Sequence, residues 1–266
     1  MKTIQFATLV LCLAFFACSK ADEPEKKAAE ESKPKVAESS TESAKQTPPA
    51  TPSESPAIDL RVLPPMGFNG TYHTESTARF NNSLGGGGRT ETQTEVKVLA
   101  SSKDSVTATF DFKGSRKMTM NAVDAAPNYD GSRTCELKIA RDGKIDTVRG
   151  KLPDEIPFSA PTFNRPLTIG QVVTDEDKTA GPGSGKAKIV RTRLKEIITS
   201  NGRRFADIEM VSEGDVSGTI ETWVDLETGV IAKSSGRMLL LQTDGEEMTL
   251  VTSSWFIDST GTRWIK

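Results

Sequence analysis

Carboxylates, one histidine and three cysteines are the groups in this chain that could do chemistry, and each lacks the neighbours that chemistry needs. A histidine serves as general base or zinc ligand only beside a nucleophile or further ligands. His73 stands alone in Gly-Thr-Tyr-His-Thr-Glu-Ser-Thr and reads as a solvent-facing strand residue. The run GPGSGK at 181–186 imitates a phosphate loop, but Ala180 and Ala187 occupy the places that require a glycine and a magnesium-binding hydroxyl. Asp175-Glu176-Asp177 lacks the ligand spacing of a calcium loop and reads as a solvated turn. A general acid and base pair could be assembled from carboxylates on distant strands, yet no spacing marks one. Glu221 and Asp225 flank Trp223 on one strand face, the outline of a carbohydrate platform, although a strand tryptophan more often packs against a neighbour. The sequence therefore predicts no catalytic residue, no cofactor and no metal.

Cys18 carries a different chemistry. Lys2 precedes an apolar run from Ile4 to Phe16, followed by small Ala17 and then the cysteine. This is the layout of an export signal with a cleavage site beside a small residue. Phe15-Phe16-Ala17-Cys18 resembles the bacterial lipoprotein signal family, which has leucine three residues before the cysteine where Phe15 stands here. The resemblance implies a signal peptide over 1–17, a mature chain beginning at Cys18, and palmitate-type acyl chains anchoring it to the membrane. The other reading is an ordinary secretory signal cut after Ala17 or later, which leaves a soluble periplasmic or secreted protein. A retained membrane helix is disfavoured because the run falls short of about 20 residues. Cys12 is a poor acceptor, since bulky Leu11 precedes it. Ser19 favours the outer membrane over the inner. Cys135 is then the one thiol left, no internal disulfide forms, and Leu137 and Ile139 nearby make it a small packed side chain.

Between 18 and 57 the chain is Lys, Glu, Ala, Ser, Thr and Pro, with Val36 its one large aliphatic residue. It buries too little apolar surface to offset the entropy of ordering. A disordered tether of roughly 40 residues has a root-mean-square reach of about 35 Å. The remainder, 58–266, is long enough for one domain with a sizeable core.

That domain reads as all-β. Val106, Ala108, Phe110 and Phe112 alternate with Thr107, Thr109, Asp111 and Lys113, which places the apolar groups on one face. Residues 248–257 alternate too, but both faces hold apolar groups, so that strand is expected to be covered on both sides. Asp142-Gly143, Asn201-Gly202, Thr228-Gly229 and Asp244-Gly245 supply tight turns between sequential antiparallel strands. Strands are expected near 67–77, 90–101, 104–113, 115–123, 134–140, 144–149, 186–199, 203–212, 217–226, 229–243 and 246–257. Together they form an antiparallel meander curled into a half-barrel, barrel or sandwich. Pro153, Pro157, Pro161 and Pro166 exclude an internal strand over 153–173, which either crosses between two halves of the meander or lies over a face as a lid. The glycine runs at 85–88 and 181–185 read as hairpin tips.

Lys186, Lys188, Arg191, Arg193 and Lys195, with Arg203 and Arg204 across a turn, form a basic stripe. It suits phosphate headgroups, or an edge hairpin that resists aggregation. Net charge of only −2 for the whole chain argues against a nucleic-acid partner.

The succession of strands and the proline-rich crossover resemble carriers of the lipoprotein-localisation half-barrel class. That resemblance implies a curved sheet holding an apolar ligand, with Phe110, Phe112, Met118 and Met120 as candidate lining residues; the other reading makes the same residues core. The expected function is non-enzymatic binding or scaffolding by a lipid-anchored domain, with an envelope protein, a cell-wall polymer or an apolar ligand as partner. A lipid carrier and a carboxylate-dependent envelope hydrolase are the alternatives.

Overall fold

The computed structural model describes residues 56–81, 86–120, 123–124, 129–152, 156–180, 184–241 and 247–265, with backbone alone over 115–131. Cys18, the 1–17 segment, most of 18–57 and the Asp244-Gly245 turn lie outside the described residues, as do the Met118 and Met120 side chains.

The described elements are twelve strands. They are β1 (Asn69–Phe80), β2 (Gly87–Ser101), β3 (Ser105–Met120), β4 (Val123–Asp124), β5 (Tyr129–Ala140) and β6 (Ile145–Arg149), then β7 (Val172–Glu176), β8 (Ala187–Ser200), β9 (Arg203–Gly214), β10 (Val216–Asp225), β11 (Ile231–Leu241) and β12 (Glu247–Asp258). All pair antiparallel in one sheet of order β6-β5-β3-β2-β1-β12-β11-β10-β9-β8-β7, with β4 on β3. The sheet is curled and not closed: β6 and β7 are its two edges. Sequential hairpins build each half, and β1 pairing with β12 joins the halves over eleven residue pairs, from Gly70 with Asp258 to Phe80 with Met248. The all-β meander expected from the alternation is the observed fold, and its half-barrel form is the one that leaves edges.

Three expectations need correction. Residues 104–113 and 115–123 were separated at Gly114, but β3 runs unbroken through it. The reason is local: the Phe112 ring lies where a Cβ of residue 114 would sit, so glycine admits a neighbouring side chain rather than breaking the strand. The short edge strand β7 falls at the end of the proline-rich segment, where no strand was expected. And the outer face of β12 is covered only in part: Trp255 and Ile257 are half-buried, while Val251 is 48% exposed.

Between edge strands β6 and β7 the segment does cross, and its described part, 156–171, runs over the inner face of the sheet. Phe158, Ser159, Ala160, Phe163 and Leu167 are buried in it. A backbone bridge joins Phe158 to Val230, and Ile231 donates to the Pro157 carbonyl at 2.9 Å. A second strap, 58–63, lies beside it: Ile58 and Leu167 exchange two backbone hydrogen bonds of 2.8 and 2.9 Å, and the Ser159 hydroxyl donates to the Leu60 carbonyl. Residues 264–265 close the end of the same face. The backbone of straps without sheet partners needs acceptors and donors somewhere, and these pairings supply them.

Candidate functional site

The inner face is the place where a half-barrel carrier would hold its ligand, and here it is packed with the chain's own side chains. Phe110 is fully buried and its ring centroid lies 5.8 Å from that of Phe158. Phe112 is half-buried, its ring folded against Gly114 with the Arg133 guanidinium 4.8 Å above it. Leu60, Phe205, Phe256 and Trp264 fill the rest of the main cluster. Beside Thr162, Leu167, Val173 and Met210 the packing leaves a space of about 20 Å³, room for about one water. Cys135 sits in this core, as expected of a packed side chain, and burial pushes its thiol up, away from nucleophilic use.

Beyond the main cluster the inner face changes character. Thr92, Thr74, Ser254, Ser234 and Thr222 stand in register across five strands. The Thr74 hydroxyl donates to Ser254 at 3.0 Å, and Thr222 and Ser234 share a bond of 3.2 Å. These buried hydroxyls satisfy one another, which is what permits a polar belt inside. Past the belt lies a second apolar cluster of Val216, Met238, Leu240 and Met248, flanked by Ala78, Phe80 and Leu250. Backbone register puts Met118 of β3 opposite Gly88, which itself faces Ala78, so Met118 belongs to the level of this second cluster and not to that of Phe110.

The outer face carries the other concentration of chemistry. Register brings His73 of β1 beside Trp255 of β12, Trp255 beside Lys233 of β11, and Lys233 beside Trp223 of β10. With strands about 4.8 Å apart, this row spans about 14 Å. The His73 and Trp255 rings are stacked, 5.5 Å between centroids and 2° between planes. Lys233 lies 5.2 Å from the Trp223 ring, and Arg263, on a bridge to Ile257, lies 4.7 Å from the Trp255 ring. Burial, reinforced by the Arg263 charge, pushes His73 below the ordinary histidine value, against an opposing pull from Glu75. His73 is thus half-buried and stacked rather than simply solvent-facing. The sequence signal for the row is weak, because its members come from four strands.

Several candidates dissolve into structural roles. Asp225 is fully buried, ion-paired to Arg203 at 2.9 Å, and accepts from Thr228 in the turn that follows, so it is no part of a platform with Trp223 and Glu221. The basic stripe is neutralised by acids of neighbouring strands: Arg191 by Glu213, Arg193 by Glu209 at 3.2 Å, Lys195 by Asp207 and Glu221 at 3.3 and 3.1 Å, and Lys186 by Asp177 at 3.8 Å. It is a charged hairpin set one strand in from the edge and largely paired, with Lys188 and Arg204 exposed and without a carboxylate among the described residues. Asp175 pairs with Arg165, and Asp177 caps Thr179. Gly185 and Ser184 give their hydrogen bonds to Asp215, while 181–183 lie outside the described residues. Among the described residues no group of three or more His, Cys, Asp or Glu is placed to hold a metal, and no helix is long and apolar enough to cross a membrane.

No protein-family model matches the chain, and no curated protein is similar to it. Among solved structures it is similar to a LolA superfamily protein from Nitrosomonas europaea, at 8% identity and a TM-score of 0.19, over 78% of this chain and 94% of that one. A likeness of that size carries no argument about a ligand.

Proposed function

We propose that this is a non-enzymatic, lipid-anchored protein of the bacterial cell envelope whose β-domain binds a partner on the outer face of its sheet. The signal-like segment ending at Cys18 and the polar stretch after it support the anchor and the standoff. The observation that carries the binding reading is the occupied inner face. Phe158, Leu60, Phe163 and Trp264 take the volume a carrier would leave for acyl chains, and the larger open space, about 340 Å³, lies away from them, along Thr77–Arg79 and Gly86–Arg89 at the end of the β1–β2 hairpin.

A carrier of apolar ligands is the second reading, favoured by the cluster of Val216, Met238, Leu240 and Met248 at the far end of the inner face. A carboxylate-dependent hydrolase has less support, because Asp207, Glu209, Glu213, Glu221 and Asp225 are each engaged by a cation.

Mass spectrometry of the exported protein, purified in detergent, tests the proposal. Under native conditions the expected result is a protein mass without bound lipid; under denaturing conditions, a chain that begins at Cys18 and carries acyl groups. A stoichiometric adduct that disappears on denaturation would replace the binding module with a carrier. A chain beginning after Cys18, or lacking acyl mass, would remove the anchor.

A further inference from the structure

The cations of the outer row are held by rings rather than by acids. Arg89, Lys113, Arg191, Arg193 and Lys195 each have a carboxylate within 4 Å. Lys233 and Arg263 instead lie over tryptophan rings, and no carboxylate pairs with either among the described residues. Arg237, four residues along β11 on the same face, is exposed and pairs with no carboxylate among the described residues. Two carboxylates of the same face are already committed, Glu75 to Arg89 at 3.6 Å and Glu221 to Lys195 at 3.1 Å. Ser253 and Ser235 stand in the next register level, between those two glutamates.

We propose that the row His73, Trp255, Lys233 and Trp223, with Arg263, is a docking surface for an anionic polysaccharide; this deepens the binding-module reading and rests on it. Ring edges and half-exposed indoles offer apolar contact to sugar C–H groups. Lys233 and Arg263 meet carboxylate or phosphate groups spaced along the polymer, and the two serines supply hydrogen bonds to the sugar hydroxyls between them. Charge density selects among polyanions. Two or three cations over about 14 Å match a sparsely charged glycan, whereas duplex DNA presents one charge per about 1.7 Å.

The test is a titration of the full chain in detergent with polygalacturonate oligomers, followed by tryptophan fluorescence. Dextran oligomers of the same length are the neutral control. Oligothymidylate and phosphatidylglycerol vesicles stand for the other anionic partners. Saturable binding of polygalacturonate is expected, with dextran much weaker. Lys233→Gln with Arg263→Gln should weaken it by about tenfold, the loss of roughly one charge-assisted contact. Ser253→Asp, which leaves both cations in place and adds a repelling charge, should weaken it comparably if the first variant folds poorly. The inference is overturned by an absence of saturable binding, by dextran binding equally, by variants that bind as the parent does, or by vesicles or oligothymidylate binding more tightly with the same sensitivity to the variants. Lipid bound in the native mass measurement would overturn the binding module itself; no lipid together with no polygalacturonate binding would overturn the glycan alone.

Discussion

Arg203 holds its guanidinium 3.9 Å above the ring of Trp264. The same group pairs with Asp225 at 2.9 Å, and Trp264 in turn packs 4.7 Å from Phe256 and donates its indole N–H to Asp258 at 3.0 Å. One cation thus ties the β9–β10 hairpin to the segment that closes the inner face. Trp264→Ala should cost about 3–5 kcal/mol, as loss of a buried large ring does. Arg203→Ala should cost about the same, because it strands a buried carboxylate. Urea unfolding followed by circular dichroism measures both, and a cost under about 1 kcal/mol for either would remove the linkage.

The crossing strap is held by packing more than by ladder bonds. Phe158 contributes a fully buried ring, so Phe158→Ala is expected to destabilise by about 3–5 kcal/mol. If the strap is what fills the inner face, the variant should also gain binding of a hydrophobic dye under native conditions. Unchanged dye binding in a destabilised variant would show that other residues close the face.

Gly229 sits where the strap 58–63 presses on the β10–β11 turn. Its φ is +65°, and a Cβ there would overlap the Val62 carbonyl oxygen, which is backbone and has little room to move. The left-handed conformation alone costs a non-glycine residue about 1–2 kcal/mol. Gly229→Ala should therefore destabilise by more than about 2 kcal/mol in the same urea experiment. A near-neutral result would mean that the strap is not seated on this turn.

What could be read without coordinates was set by local chemistry. The period-two alternation of 106–113 and the Asn201-Gly202 turn, with φ of 51° and 75°, depend on residues next to each other, and both are visible in the string of letters. Strand β7 was invisible because Val172–Glu176 is a five-residue edge strand with no buried position, and the prolines before it outweigh the turn at Gly170. Lys186 to Lys195 was legible as basic but not as neutralised, since Glu209, Glu213 and Glu221 arrive from other strands. His73 and Trp255 meet only because the first and last strands pair, a long-range closure that no local window contains.

Asp59 anchors the first strap to the β5–β6 turn. Its carboxylate is held well below the ordinary range by the Arg61 side chain, against burial, with further help from Arg141 at 2.8 Å. A carboxyl whose folded value is depressed contributes stability above its unfolded value, near 3.8, and loses it as pH falls through the folded one. Wild-type protein should lose stability more steeply than Asp59→Asn as pH falls below about 4. Urea midpoints measured from pH 6 downward check this, and parallel curves would show that the contact does not survive in solution.

His73 offers the sharpest reading of the outer row, because it is the single histidine in the sequence and its resonance needs no assignment. Glu75 lies on its own strand, Gln93 on β2, Trp255 on β12, and Arg263 reaches in from the turn after β12. Burial and the Arg263 charge disfavour the imidazolium, so the folded chain should titrate at lower pH than the ordinary 6.5. The unfolded chain then binds more protons between those two values, and stability from this group, present above 6.5, declines as pH falls through the folded value. Arg263→Gln should move the titration upward but leave it below 6.5, since burial is the larger cause. Glu75→Gln should move it further down. Proton NMR of the ring across pH 4–8 measures all three chains, and an upward shift on adding polygalacturonate to the wild type would place the anion beside this ring. A titration that ignores the loss of Arg263 would mean the guanidinium does not rest over Trp255 in solution.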